Sequence, residues 1–303
     1  MQVGKTLHFL GVDGGGTSCR ARLADAAGAV LGTGAAGPAN IRLGLEAAFG
    51  AVREATRQCL AEAGLAPDGT SMVACLAMAG ASEPAEAAAA RSYRDHPFRR
   101  MLITTDAHAA CVGAHRGRDG GVVIVGTGSI GWAILGGEHY RVGGWGFPVS
   151  DEGSGAWLGC EAVRRALEAL DGRAEWTGLL RQVSGRFGDD PHAMVRWMAS
   201  ARPRDYAALA PLVVGHAARS DRAARTLMRD AAAHVDALAA CLAAHGAALL
   251  ALAGGLAGSI EPWLAPATRA RLVEPAGDAL DGALQLAREL ARGATPAAPA
   301  LTG

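Results

Sequence analysis

A short apolar strand that breaks into a glycine- and hydroxyl-rich turn and then returns occurs twice in this chain, more than a hundred residues apart. The first copy is Leu10-Gly11-Val12-Asp13-Gly14-Gly15-Gly16-Thr17-Ser18. The run from His8 to Val12 reads as a buried strand, and Cys19-Arg20-Ala21-Arg22-Leu23 alternates in character as its returning partner. Glycines at such a turn permit positive φ and let an anion approach backbone N–H groups. Thr17 adds a hydroxyl donor, and Asp13 stands where a carboxylate could hold a hydrated Mg2+. The pattern is neither a Walker loop nor a dinucleotide fingerprint, because no G-K-[ST] follows and no helix opens after the glycines. With 42 glycines in 303 residues, one such run is as readily an ordinary hairpin turn. The second copy decides the matter. Residues 121–125 form another apolar strand, run into Gly126-Thr127-Gly128-Ser129 and return from Ile130 to Leu135. Two such hairpins predict a duplicated architecture with a phosphate loop in each half.

The elements between them follow the same plan. A third strand is expected over 29–35, then the loop Gly37-Pro38-Ala39-Asn40 and a helix over 43–63. The apolar positions of that helix (Leu45, Ala48, Phe49, Val52, Ala55, Cys59, Leu60) recur at helical spacing, and Gly64 ends it. A buried strand at 72–78, a helix at 83–93, a strand at 101–105 ending at Asp106, and a helix at 107–115 complete the order β-β-β-α-β-α-β-α. It restarts at Gly121 with three strands reaching Val142, then the loop Gly143-Gly144-Trp145-Gly146. From Asp151-Glu152-Gly153-Ser154 onward the pattern predicts helices at 155–170, 177–187, 191–200, 206–220 and 221–245. A strand at 247–253 closes on Gly254-Gly255, and a short helix, a strand at 270–273 and a helix at 278–291 follow. The tail from Gly293 on, rich in Ala, Pro and Thr, is expected to fray. Gly117-Arg118-Asp119-Gly120 is a turn signal, so the boundary between halves is expected near 116–120.

Length and composition agree with two domains. Half of the residues are apolar and 19% are charged, which supplies sizeable cores and excludes a disordered chain. Lys+Arg equals Asp+Glu, and no basic stripe points to nucleic acid or an anionic membrane. Cys19, Cys59, Cys75, Cys111, Cys160 and Cys241 are scattered without a C-x-x-C pair, as in a reduced cytosolic protein. No signal-peptide pattern or membrane-length apolar run is present, so a soluble, cytoplasmic protein is expected. His108, His115, His216, His234 and His245 lie at no metal-binding spacing and read as structural or surface residues.

Seven pieces, in order, carry a resemblance: Asp13-Gly14-Gly15-Gly16-Thr17, Gly37-Pro38-Ala39-Asn40, Thr105-Asp106-Ala107, Gly126-Thr127-Gly128-Ser129, Gly143-Gly144-Trp145-Gly146, Asp151-Glu152-Gly153-Ser154 and Ala253-Gly254-Gly255. The set resembles the sugar kinase, heat-shock ATPase and actin superfamily. Within it, the chain looks like the BadF/BadG/BcrA/BcrD ATPase branch that holds N-acetylglucosamine kinase and bacterial glucosamine kinase. Thr17-Ser18-Cys19-Arg20-Ala21-Arg22 and Pro203-Arg204-Asp205-Tyr206 share the flavour of the bacterial amino-sugar kinases.

The resemblance implies an α/β protein of two duplicated ribonuclease-H-like (actin-like ATPase) domains, mixed sheets flanked by helices, with a cleft between them. The expected domains are 1–117, completed by the C-terminal helix at 278–292, and 118–277. It also implies an ATP- and Mg2+-dependent hexosamine kinase acting on the 6-hydroxyl of N-acetylglucosamine or glucosamine.

The resemblance further assigns roles. Gly14, Gly15, Gly16, Thr17, Gly126, Thr127, Gly128 and Ser129 would hold phosphates, with Asp13 on Mg2+ through water and Gly254 and Gly255 beneath the adenosine. Asp106 would accept the proton of the attacking hydroxyl and, with Asn40, Gly144, Trp145, Gly146 and Asp151, would bind the sugar. Plainer roles exist for each: a turn residue for Asn40, helix N-caps for Asp106 and Asp151, a packing plug for Trp145, and a strand-to-helix turn for Gly254-Gly255. The implied partners are an amino sugar and ATP, with no nucleic acid and no membrane; a homodimer is allowed for. Two other functions fit the same fold. An ATPase that drives electrons into a partner dehydratase would need cysteines for an iron–sulfur cluster at a dimer interface. A sugar sensor without turnover would have no need of Asp106.

Overall fold

In the computed structural model, which describes residues 6–67 and 70–293, the first glycine-rich turn joins β1 (Leu7–Gly14) to β2 (Cys19–Ala24). The two strands are antiparallel, with Asp13 opposite Arg20 and Gly14 opposite Cys19. β3 (Val30–Ala36) extends the meander, and a tight turn over Ile41–Leu43 leads into α1 (Leu45–Glu62). β4 (Ser71–Met78) then runs parallel to β1, α2 (Pro84–Ser92) follows, β5 (Arg100–Thr104) runs parallel to β4, and α3 (Asp106–His115) leaves it. The sheet order is β3-β2-β1-β4-β5.

Strand periodicity sorts the side chains of this sheet. Leu10, Val12, Leu23 and Leu76 lie in the core under Phe49, Val52 and Cys59 of α1. Phe9, Ala24, Val73 and Cys75 face a second core, built with Ala109 and Val112 of α3 and with the C-terminal helix. Both faces are covered, as parallel strands require.

The same meander recurs in β6 (Gly120–Val125), β7 (Ser129–Leu135) and β8 (Glu138–Gly143). Six helices follow: α4 (Gly155–Leu170), α5 (Gly178–Gly185), α6 (Pro191–Met198), α7 (Pro203–Ala207), α8 (Ala210–Ala218) and α9 (Arg222–Ala244). β9 (Leu250–Ala253) runs parallel to β6, and α10 (Ala257–Ile260), α11 (Pro266–Arg269) and α12 (Ala279–Ala291) end the described chain. The sheet order β8-β7-β6-β9 repeats the first four positions of the other sheet.

Two expected elements differ. The helix expected over 206–220 is two, α7 and α8, because Pro211 lacks an N–H and sits in the first turn of the second. The strand expected at 270–273 is a single parallel bridge between Leu250 and Leu272. Leu250 N donates to Arg271 O and Val273 N to Leu250 O, both at 2.9 Å, and Pro275 has no N–H to continue the ladder. Residues 294–303, nearly all of the tail expected to fray, lie outside the described residues.

The chain divides into two compact units. One holds the described residues through Gly120, with Ala133–Tyr140 and those from Glu274 on; the other holds Gly121–Trp132 and Arg141–Val273. Helix α12 belongs to the first unit, where it packs on α3, β1 and β4. Its N-terminus carries a capping box between Asp278 and Asp281, and both carboxylates also pair with Arg22. A Cβ on Gly282 would stand 1.9 Å from Ala109 O. Gly282→Ala should therefore push α12 off α3 and cost about 3 kcal/mol, read as a lower Tm. A glycine with open space, such as Gly185 at the end of α5, should accept alanine with no loss. Equal melting of both variants would refute the close-packing account.

Among the described residues, no helix is long and apolar enough to cross a membrane.

Candidate functional site

In the first unit, the residues singled out from sequence gather at the carboxyl ends of the parallel strands. Asp13 and Gly14 end β1, Ala79 and Gly80 follow β4, and Asp106 follows β5. Ligands bind at this edge in open α/β sheets. The glycine turn is closed by Gly15 N donating to Ser18 O at 2.9 Å, which leaves Thr17 exposed. Asp13 receives the Arg20 guanidinium at 2.6 Å. The loop carrying Asn40 is stitched onto this edge: Ala39 N donates to Gly15 O (3.1 Å), Ala79 N to Gly14 O (2.7 Å) and Ile41 N to Ala79 O (3.1 Å). Asn40 Oδ1 accepts from Arg42 N at 2.9 Å, so Asn40 does serve as a turn residue. Its amide nitrogen lies 4.0 Å from where a Cβ on Gly16 would stand.

Asp106 is not the cap of α3. Thr105 is: its backbone is extended and its hydroxyl accepts from His108 N at 3.0 Å. Asp106 is the first helical residue, its Oδ1 2.9 Å from Ala107 N, at the end of a helix where the dipole favours an anion. His108, one turn in, is buried, with Nδ1 2.7 Å from Thr104 Oγ1 and its ring edge-on to His139 at 4.7 Å. Burial, and then the neighbouring His139, push its pKa down to about 3, so the ring stays neutral.

In the second unit, the corresponding edge collects Gly126–Ser129 after β6, Gly143–Gly146 after β8, and Gly254-Gly255 after β9. Gly126 N donates to Gly128 O at 2.8 Å, and Thr127 is exposed. Ser129 is buried, with its hydroxyl donating inward to Glu152 O at 2.7 Å. The first N–H groups of α4 hold this loop from behind: Gly155 N donates to Gly126 O (2.8 Å) and Ala156 N to Thr127 O (3.1 Å). The cap of α4 is Ser154, not Asp151. Asp151 sits at φ +66°, accepts from Phe147 N at 3.2 Å, and stands 2.7 Å from where a Cβ on Gly128 would be. Burial raises its pKa above the usual carboxylate range, against the backbone donors at Gly146 and Phe147.

Trp145 is no packing plug, since it is 66% exposed. The Arg141 guanidinium lies 3.9 Å from the ring centroid and is itself anchored on the carbonyls of Gly143 and Gly144. A Cβ on Gly254 would meet Val125 O at 2.4 Å, whereas at Gly126 and Gly255 nothing lies within 4 Å. The backbone at those two glycines is therefore open to a ligand.

Among the described residues, no group of three or more His, Cys, Asp or Glu side chains could hold a metal ion. Asp13 is a lone carboxylate, which suits Mg2+ held mainly by water and phosphate. Two contributors, Arg20 and Arg141, were not among the residues expected to form the site. Arg20 was legible in principle, since a four-residue turn between Gly14 and Cys19 sets it opposite Asp13. Arg141 had no signal, because its role comes from the backbone of a later loop.

Comparison with known proteins places this arrangement. The BadF/BadG/BcrA/BcrD ATPase family matches residues 10–275. Glucosamine kinase GspK of Vibrio cholerae serotype O1 is 41% identical over 281 residues, 92% of this chain and 95% of that protein. The crystal structure of a candidate N-acetylglucosamine kinase from Chromobacterium violaceum is 38% identical, with a TM-score of 0.86 over 92% of this chain and 98% of that one. A ROK family glucokinase from Streptomyces griseus, in complex with glucose and AMPPNP, shares the fold at 19% identity, with a TM-score of 0.52 over 93% of this chain and 99% of that one. The two mixed sheets are ribonuclease-H-like domains, and the chain belongs to the BadF/BadG/BcrA/BcrD ATPase family.

Proposed function

We propose that this chain is an amino-sugar kinase that transfers the γ-phosphoryl group of ATP to the 6-hydroxyl of glucosamine or N-acetylglucosamine. The observation that carries the reading is Asp106. Capping α3 is the work of Thr105, so an aspartate at 106 is not needed as the cap, and the position lies at the ligand-binding edge of the sheet. Its role is to accept the proton of the attacking hydroxyl. The identity to a glucosamine kinase along nearly the whole length of both chains supports the same class of acceptor.

In the first unit, Asn40 orients the acceptor beside Asp106, and Gly14–Thr17 bind phosphate. In the second, Gly126–Ser129 bind phosphate through backbone N–H groups and the Thr127 hydroxyl, and Ser129 steadies the loop through Glu152. Gly255 presents open backbone to the nucleoside beside the tight turn at Gly254, while Gly144, Trp145, Gly146 and Asp151 offer a ring face and hydrogen-bonding groups to a sugar. Mg2+, when bound with the nucleotide, neutralises phosphate charge, and Asp13 is the side chain that would hold it through water.

Four of the six cysteines speak against a dehydratase-activating ATPase. Cys19, Cys59, Cys75 and Cys111 are buried, and burial raises all four thiol pKa values, to about 12 at Cys19 and Cys111 and about 11 at Cys59. Cluster ligation needs accessible thiolates, which leaves half-buried Cys160 and exposed Cys241 as the accessible thiols.

Coupled ADP release across glucosamine, N-acetylglucosamine and glucose tests the proposal. A site shaped for a nitrogen at C2 leaves a partner unpaired on glucose, so at least one amino sugar should exceed glucose in kcat/KM by roughly tenfold to a hundredfold. Glucose matching both would make this a general hexose kinase, and no sugar-dependent ADP release would end the kinase reading.

A further inference from the structure

A glycine-rich loop that must present a tryptophan and a carboxylate in fixed places needs an anchor outside itself. In the loop at 143–151, Gly143, Gly144, Gly146 and Asp151 all sit at positive φ. Its hydrogen bonds partly close it on itself: Ser150 N donates to Gly146 O at 2.9 Å, and Phe147 N to Asp151 Oδ2 at 3.2 Å. Trp145 and Val149 face solvent, 66% and 89% exposed. Phe147 instead turns inward, and its ring meets that of Tyr206 with centroids 5.0 Å apart.

Tyr206 is itself fixed from several sides. Pro203 opens α7, and Asp205 Oδ2 accepts from Arg202 N at 2.7 Å, which sets the start of the helix. The Tyr206 side chain is buried, and Trp197 of α6 backs its ring at 4.7 Å. Its carbonyl oxygen lies 1.9 Å from where a Cβ on Gly159 would stand, so α7 is seated on the backbone of α4. One residue on, Ala207 Cβ lies 3.2 Å from where a Cβ on Gly155 would be. Gly155 is the residue whose N–H holds Gly126 O. Tyr206 thus joins the Trp145 loop to the helix that backs residues 126–129, inside one compact unit.

We infer that Tyr206 is a positioning residue for sugar binding: through Phe147, its ring sets the loop carrying Trp145 and Asp151 in register with the second phosphate loop. The assignment rests on the sugar reading of that loop. Without the Tyr206 ring, Phe147 loses the surface it packs on, and the loop spends part of its time elsewhere. Apparent sugar affinity falls by that fraction, while chemistry in the bound complex is unchanged. The ring and not the hydroxyl does this, since the contact with Phe147 is ring to ring.

The test follows hydrogen exchange across residues 143–151, and steady-state kinetics with glucosamine and N-acetylglucosamine, in the full-length chain and its Tyr206→Leu, Tyr206→Phe and Phe147→Leu variants. Tyr206→Leu should speed exchange in the loop and raise sugar KM by roughly threefold to tenfold, the worth of one aromatic pair. Its kcat at saturating sugar should stay within about twofold of wild type. Tyr206→Phe, which keeps the ring, should restore both readouts. Phe147→Leu, at a half-buried position, should copy Tyr206→Leu. The double variant should be no worse than either, because both changes remove the same contact. A merely structural tyrosine would give a lower Tm with loop exchange and KM unmoved, and that result would overturn the assignment, as would additive losses in the double variant. Faster loop exchange with sugar KM unchanged would instead leave Tyr206 its hold on the loop and bring down the sugar reading beneath it.

Discussion

Asp106→Asn is expected to lower kcat by roughly two to four orders of magnitude while leaving KM for sugar and ATP within about threefold. The reason lies in what the substitution keeps. Asparagine has the same shape, and its side-chain oxygen can still accept from Ala107 N as Asp106 Oδ1 does at 2.9 Å. The cap of α3 is untouched, because Thr105 supplies it. Losing a charge at the first helical position, partly buried at Asp106, costs at most about 2 kcal/mol through the helix dipole. What the variant cannot do is take a proton. Thr105→Ala makes the complementary change: it should lose about 1 kcal/mol of stability by removing the cap and retain most of the proton-accepting chemistry. Steady-state kinetics at saturating sugar and a thermal melt on both variants separate the roles. An Asp106→Asn protein that turns over normally and merely melts early would show that the carboxylate is structural.

The cap assignments also mark where sequence reading stops. At both α3 and α4, a hydroxyl residue and an aspartate lie close together, and propensity alone allows either to cap. The backbone decides. Thr105 and Ser154 are extended and present their oxygens to the N–H group three residues on, whereas Asp106 is already helical and Asp151 lies in the left-handed region. That choice is set by how the preceding strand or loop enters the helix, a tertiary property.

The hairpins were legible because strand periodicity on either side of a glycine turn leaves little other choice, and β1 and β2 then fall into the register that pairs Asp13 with Arg20. Helix α4 was legible to the residue because an amphipathic run opens directly after the turn Asp151-Glu152-Gly153-Ser154. The break between α7 and α8 was missed because Ala-rich apolar sequence continues across Pro211, and a proline in a first turn looks, without the structure, like one inside a helix. Arg141 belongs to the same class of failure. Its guanidinium is positioned by the carbonyls of Gly143 and Gly144, which carry no side-chain signature.

Gly254→Ala is expected to cost about 3–5 kcal/mol and to lower Tm by roughly ten degrees. Two penalties add. The residue sits at φ +96°, which an L side chain rarely adopts, and its new Cβ would stand 2.4 Å from Val125 O and 2.7 Å from Val125 C. Those are backbone atoms of β6 and cannot rotate away. Relief requires moving the turn after β9, which breaks the bond from Leu256 N to Val125 O (3.0 Å) and displaces the start of α10, held by Ala257 N on Gly254 O (3.1 Å). Val125 leads directly into Gly126–Ser129, so the strain is delivered to the proposed phosphate loop, and ADP affinity should fall with stability.

Gly255 separates the two effects. Nothing lies within 4 Å of a Cβ there, and its φ is not positive, so Gly255→Ala should fold and melt like wild type. If the nucleoside lies against that backbone, the added methyl occupies its space, and adenosine and ADP should both weaken about tenfold with no change in Tm. Calorimetric titration beside a thermal melt for both variants reads the pair. Should Gly255→Ala bind adenosine as tightly as wild type, the nucleoside does not rest on Gly255, and the glycine pair serves only to turn the chain from β9 into α10.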